Sequence, residues 1–101
     1  MSDVSRITIT EDLTIYHALE LKQRLLEGIE QASALELDLS HVAEIDTAGL
    51  QLLILVQRET AARGRPLTVT QMSNSVRETL DFCNLTQLFG DKAAAAASPL
   101  A

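Results

Sequence analysis

A chain of 101 residues, 47% apolar and 22% charged, has the size and composition of one globular domain with its own core. With 3% aromatic residues and no Trp, that core has to be assembled from Leu, Ile, Val and Ala. A formal net charge of −6, with eight Lys and Arg residues scattered along the chain, counts against nucleic acid as a partner, because its phosphates would be repelled.

In chain order, the first segment with a clear period is Ile7–Thr10, where Ile7 and Ile9 alternate with Thr8 and Thr10. A period of two marks a strand buried on one face. Leu13–Ile15 reads as a loop leading into the first helix, since Glu11-Asp12 is a poor two-residue hairpin turn. From about Tyr16 to Ala32, the residues Ala18, Leu21, Leu25, Ile29 and Ala32 recur at steps of three and four, the stripe of an amphipathic helix. Leu35, Leu37 and Leu39 alternate with Glu36 and Asp38 as a second strand. A second helix is predicted from Thr47 or Ala48 to Arg63, with Gly64 as a left-handed cap and Pro66 barring continuation.

Leu67 and Val69, alternating with Thr68 and Thr70, give a third strand. A third helix starts near Ser75, where Ser75-Val76-Arg77-Glu78 reads as a capping box, and ends near Asn84. Thr86–Phe89 forms one further turn that packs Leu88 and Phe89 on the core, and Cys83 beside Phe82 reads as a small core residue. After Gly90, the Ala-rich stretch 91–101 is expected to be a tail without function, leaving 1–90 as the domain.

Strands alternating with helices imply crossover connections and a mostly parallel sheet. Strict alternation within each strand further implies helices on one face of the sheet and water on the other, since a sheet covered on both faces would show continuous apolar runs. A lone Cys83, no segment resembling a signal peptide and no apolar run long enough for a bilayer (the longest is Leu52–Val56) make the cytoplasm the expected location. His17 and His41 have no metal-ligand spacing with Cys83 or with each other and read as surface or capping residues. With no phosphate loop, nucleophile elbow or relay, the expectation is a chain that is no enzyme and carries no cofactor or metal.

The informative segment runs from Asp38 through Leu39, Ser40, Val42 and Ile45 to Asp46, Thr47, Ala48, Gly49 and Leu50. It passes from a strand through a turn into the N-terminus of the most apolar helix. Asp46 or Thr47 suits the N-cap, and spacing alone explains the pair as nothing more. Gly49 in a first helical turn is costly for helix propensity, which implies close approach by another backbone or by a partner. A phosphate on Thr47 would lie where the helix dipole favours anions, adding about 1.5 to 2 negative charges beside Asp46 and Glu44.

The run Asp-Leu-Ser-x-Val-x-x-Ile-Asp-Thr-Ala-Gly-Leu-x-Leu-Leu resembles the signature of STAS domains, the family of bacterial anti-sigma factor antagonists. The resemblance extends over roughly Ile7 to Phe89 and takes in Ala18-Leu19-Glu20-Leu21 and Arg63-Gly64. It implies a two-layer α/β fold whose mostly parallel sheet has four strands or fewer, with the helices on one face. It also implies that Thr47 is a phosphorylation site, and that Asp46, Thr47, Ala48, Gly49 and Leu50 dock a protein partner. That partner would be an anti-sigma factor or serine/threonine kinase-like protein, bound without phosphate and released with it. Two departures stand out: almost no residues precede Ile7 for the extra strand with which the family usually opens, and Thr14 stands where the family tends to carry an acid. Short forms with Asp-Thr-Ala-Gly-Leu also resemble the STAS subunit of phospholipid-trafficking ABC transporters, which binds the transporter ATPase. In that alternative Thr47 is an interface contact. A ligand-sensing module is a third option, without a pocket signature. The near all-round apolar run Leu50–Val56 is explained equally well by burial against neighbouring helices or by a partner, with Leu50 the expected partner contact.

Overall fold

The computed structural model describes residues 3–89, so the Ala-rich segment 91–101 lies outside the described residues. Strand β1 (Val4–Thr8) leads to helix α1 (Ala18–Gln31), strand β2 (Ala34–Leu39), helix α2 (Thr47–Ala62), strand β3 (Leu67–Met72) and helix α3 (Asn74–Phe82). A 3₁₀ turn at Thr86–Phe89 ends the described chain. The three strands lie in the order β1-β2-β3 and both pairings are parallel. This is the two-layer α/β arrangement that the alternating pattern implies, with three strands among the described residues.

The period of two holds in β2, while the first strand runs Val4–Thr8, earlier than the Ile7–Thr10 read from the sequence, with Ile9 buried just past its end. Leu35, Leu37 and Leu39 are buried, while Glu36 and Asp38 between them stay half-buried on the other face. On that face Arg6 and Glu36 stand opposite each other in register and pair at 3.0 Å. Pairing of β1 with β2 runs one residue past Thr8, where the Ile9 N–H donates to the Asp38 carbonyl oxygen at 3.1 Å. In β3 the register slips: Leu37 faces Val69 but Asp38 faces Gln71, leaving Thr70 as an extra residue. The Thr70 hydroxyl donates to the Leu37 carbonyl oxygen at 3.1 Å. This bulge turns the alternation by one, so Val69 and Met72, three apart, both reach the core.

Leu21, Leu25 and Ile29 of α1, Leu52, Leu53 and Val56 of α2, and Val76 and Leu80 of α3 close over the apolar face of the sheet. Gly28 of α1 lies close to this face, its absent β-carbon 3.0 Å from Ile7 Cδ1.

Both α2 and α3 end in the same way. Gly64 at φ 65° and Asn84 at φ 58° take the left-handed conformation. The N–H groups of Arg65 and Leu85, one residue on, reach back to the carbonyl oxygens of Thr60 and Leu80. The second of these turns corrects the reading of Cys83 as a core residue. The turn brings Leu85 back against the core at the end of α3, and Cys83, the C-cap, is exposed. Two other expectations are corrected here. The α3 cap is Ser73, whose hydroxyl oxygen accepts the Val76 N–H at 3.3 Å, and Ser75 falls inside the first turn, so the capping box does not form. Of the adjacent pair in the 3₁₀ turn, Phe89 is fully buried but Leu88 is 43% exposed. Successive side chains there point about a third of a turn apart, so one faces the core and the other faces water.

Candidate functional site

The segment 44–50 lies beyond the C-terminal ends of the parallel strands, where the loops of an α/β sheet converge. It is tied there by a neighbour 31 to 33 residues away in sequence. The Leu13 N–H donates to the Glu44 carbonyl oxygen at 2.9 Å, and the Asp46 N–H donates to the Leu13 carbonyl oxygen at 3.0 Å. Leu13 and Ile45 thus form a single parallel bridge, and Leu13 itself is fully buried. The Leu13–Ile15 stretch is a loop as expected, and it is pinned to the β2–α2 connection instead of to β1. Asp12 adds a third tie, its carboxylate accepting the Glu44 N–H at 3.2 Å.

Asp46 is the N-cap of α2 and uses both carboxylate oxygens. Oδ1 accepts the Gly49 N–H at 3.0 Å and Oδ2 accepts the Ile15 N–H at 3.0 Å. Those two bonds, that to Gly49 first, hold the Asp46 carboxyl below its ordinary acidic range. The glycine three residues later is required by sterics. A β-carbon on Gly49 would fall 1.9 Å from the Leu13 carbonyl oxygen and 2.5 Å from its carbon. Of the two explanations for a glycine in a first helical turn, close approach by another backbone is the one the geometry supplies. Acid and glycine at a spacing of three are therefore one device: the acid caps the third helical N–H, and the glycine admits the loop backbone that the same acid helps to hold.

Thr47 is the first residue of α2 and is exposed. Since Asp46 performs the capping, the Thr47 hydroxyl is not needed for it. Ala48 is half-buried and Gly49 buried. Leu50 is half-buried and packs onto the core, so much of it is already occupied by the domain's own residues. The large exposed apolar side chains near this helix start belong to the other loop and helix: Ile15 at 69% exposure, Tyr16 at 91% and Leu19 at 70%. Sequence reading missed these three. The available signal was Leu19, which falls off the buried Leu21–Leu25–Ile29 stripe of an otherwise regular amphipathic helix.

Two concavities flank the start of α2. One, of about 310 Å³, runs between the first turns of α1 and α2, where Ala18, Leu19, Ala48, Leu52 and Leu55 supply an apolar wall interrupted by Lys22 and Gln51. The other, of about 660 Å³, opens between the β1–α1 loop, the β2–α2 loop and α3. Asp12, Glu44, Asp46 and Glu78 line it with His17, and among the described residues no Lys or Arg does. Asp46 lines the acidic cavity and Ala48 the apolar groove, and Thr47 lies between these two residues in the chain. His41 is exposed beside Ser40, and among the described residues no cluster of His, Cys, Asp and Glu forms a metal site. No described helix is long and apolar enough to cross a membrane.

A family model described as "Mlab, STAS domain" matches residues 1–90. Among solved structures, the chain is similar to the anti-sigma factor antagonist SpoIIAA in its unphosphorylated form, with TM-score 0.73 and 17% identity over 96% of this chain and 86% of that one. It is similar to the Bacillus cell fate determinant SpoIIAA in the phosphorylated form, with TM-score 0.69 and 16% identity over 96% and 89%. It is also similar to a sulfate transporter family protein from Wolinella succinogenes, with TM-score 0.71 and 23% identity over 93% and 84%. At these identities the structural likeness establishes a shared fold.

Proposed function

The chain belongs to the STAS domain family, and from that premise we propose that it is a non-catalytic, cytoplasmic partner-switching regulator of the anti-sigma factor antagonist type. Residues 1–90 are the working unit and 91–101 a dispensable tail. Unphosphorylated, it binds an anti-sigma factor or serine/threonine kinase-like protein around Asp46, Thr47, Ala48, Gly49 and Leu50. Phosphate on Thr47 dissolves the complex.

One observation carries this reading: Asp46 has both oxygens committed to backbone N–H groups, and Thr47 stands exposed one residue later, its hydroxyl without a hydrogen-bond partner among the described residues. A kinase can reach that hydroxyl without disturbing the cap. The helix dipole favours an anion at this end of α2, so the scaffold tolerates the phosphate. SpoIIAA, of the same fold, is known in unphosphorylated and phosphorylated forms that both resemble this chain. A docked partner has no such tolerance. Burying a charged group without compensation costs several kcal/mol, and each 1.4 kcal/mol is about tenfold in affinity.

The test is phosphorylation by the cognate kinase followed by pull-down. Label is expected on Thr47 alone, absent from Thr47→Ala, and Thr47→Asp is expected to release the kinase-like partner. Labelling that survives Thr47→Ala removes Thr47 from the mechanism. Stable association with a transporter ATPase, indifferent to charge at position 47, would establish the accessory-subunit role instead.

A further inference from the structure

We infer that the groove between α1 and α2 seats an amphipathic helix of the partner protein, basic at the end that meets Asp46 and apolar along the face that meets Leu19, Leu52 and Leu55. This rests on the reading of Thr47 as the switch of a partner surface.

The apolar part follows from exposure and shape. Ile15, Tyr16 and Leu19 are each more than two-thirds exposed, and Leu19 continues directly into the groove wall. A trough between two helices accepts side chains at helical spacing, whereas an added strand would need an unpaired sheet edge, which this trough does not offer. The basic end follows from charge. The concavity at the start of both helices is lined by Asp12, Glu44, Asp46 and Glu78, while Lys22 lies one turn further along α1 in the groove. The charge pattern therefore has a direction: an incoming helix gains by placing Arg or Lys near Glu44 and Asp46, and a neutral or acidic residue near Lys22. A second copy of this chain fits poorly, since it carries the same net charge of −6.

The arrangement also fixes the sign of the switch. Thr47 lies in the chain between a residue of the acidic cavity and one of the apolar groove, so a phosphate there must lose water to a docked helix that covers both. Attraction to the basic end returns less than that loss, because the desolvation penalty of a buried charge can exceed its Coulombic gain.

The experiment pans a displayed library of helical peptides, unbiased in charge, on the full chain. The probe is the best-enriched peptide, measured by fluorescence anisotropy. Enriched peptides are expected to be basic and amphipathic. Their affinity is expected to fall at least tenfold for Leu19→Asp, a change at an exposed site whose thermal melt is checked to be unaltered. Glu44→Lys together with Glu78→Lys is expected to remove the salt dependence of binding. Acidic or uncharged enriched peptides, no enrichment, or affinity unchanged in Leu19→Asp would each overturn the inference. If peptides bind the groove equally well with Thr47→Asp, the inference holds and the switch fails. If Thr47 phosphorylation releases the partner but the groove variants do not matter, the switch holds and the inference fails.

Discussion

The carbonyl oxygen of Leu13 lies 1.9 Å from the place where a β-carbon on Gly49 would stand. That oxygen belongs to a buried loop residue and also accepts the Asp46 N–H, so it cannot withdraw without breaking the bridge. Gly49→Ala is therefore expected to destabilise the fold by about 3 kcal/mol or more, since overpacking against backbone finds no flexible neighbour to yield. Gly28 makes the control. Its added β-carbon would meet the end of the Ile7 side chain at 3.0 Å, and Ala is the better helix former, so Gly28→Ala should change stability by less than about 1 kcal/mol. Urea denaturation of the two variants measures the contrast.

The choice of cap on α3 is checked the same way. Ser73→Ala should cost about 1 kcal/mol, the usual worth of an N-cap hydroxyl. Ser75→Ala, inside the first turn, should stay within about 0.5 kcal/mol of the parent. Equal losses from both would restore the capping box at Ser75.

The two phenylalanines are expected to behave oppositely. Phe89 is fully buried and Phe82 is 90% exposed. Phe89→Ala should lose about 3 to 5 kcal/mol through the cavity it leaves, and Phe82→Ala about 0.5 kcal/mol or less. Thermal or urea melts of the two variants decide this.

Acid should loosen the loop that presents Ile15 and Tyr16. Asp46 is held below its ordinary range by the N–H groups of Gly49 and Ile15, Asp38 by the Ser40 hydroxyl and N–H, and Glu11 by Arg24. At neutral pH all three are ionised in both folded and unfolded chains, and the native bonds contribute in full. As pH falls through the unfolded values of about 3.9 for Asp and 4.3 for Glu, the unfolded chain takes up protons first and the native advantage shrinks. Denaturation midpoints should therefore be flat from pH 7 to 5 and fall from pH 4 to 3. Asp46→Asn should start lower and fall less steeply. An unchanged slope in that variant would show that its two N–H bonds are not linked to folding.

How far the sequence reached can be followed residue by residue. Period two in Leu35–Leu39 and the three-and-four stripe of Leu21, Leu25 and Ile29 placed a strand and a helix, with their buried faces, because both patterns are local and repeat. Gly64 and Asn84 marked helix ends for the same reason, each ending being a short-range turn. The Thr70 bulge was invisible, since it exists only in relation to Leu37 on the neighbouring strand. Cys83 and Leu88 were misplaced because an isolated turn does not say which of its side chains the rest of the fold will cover.

At the site the division is the same. Sequence alone determined that an acid, a hydroxyl and a glycine open the most apolar helix, that one of them caps it, and that the glycine needs a close neighbour. Only the tertiary structure decided that the neighbour is Leu13, that Asp46 is the cap, and that Thr47 is exposed, flanked in the chain by a residue of an acidic cavity and one of an apolar groove. The physical reason is range. Caps and periodicities are settled within a few residues, whereas the approach of Leu13 to Gly49 joins points 36 residues apart through the bridge between two loops.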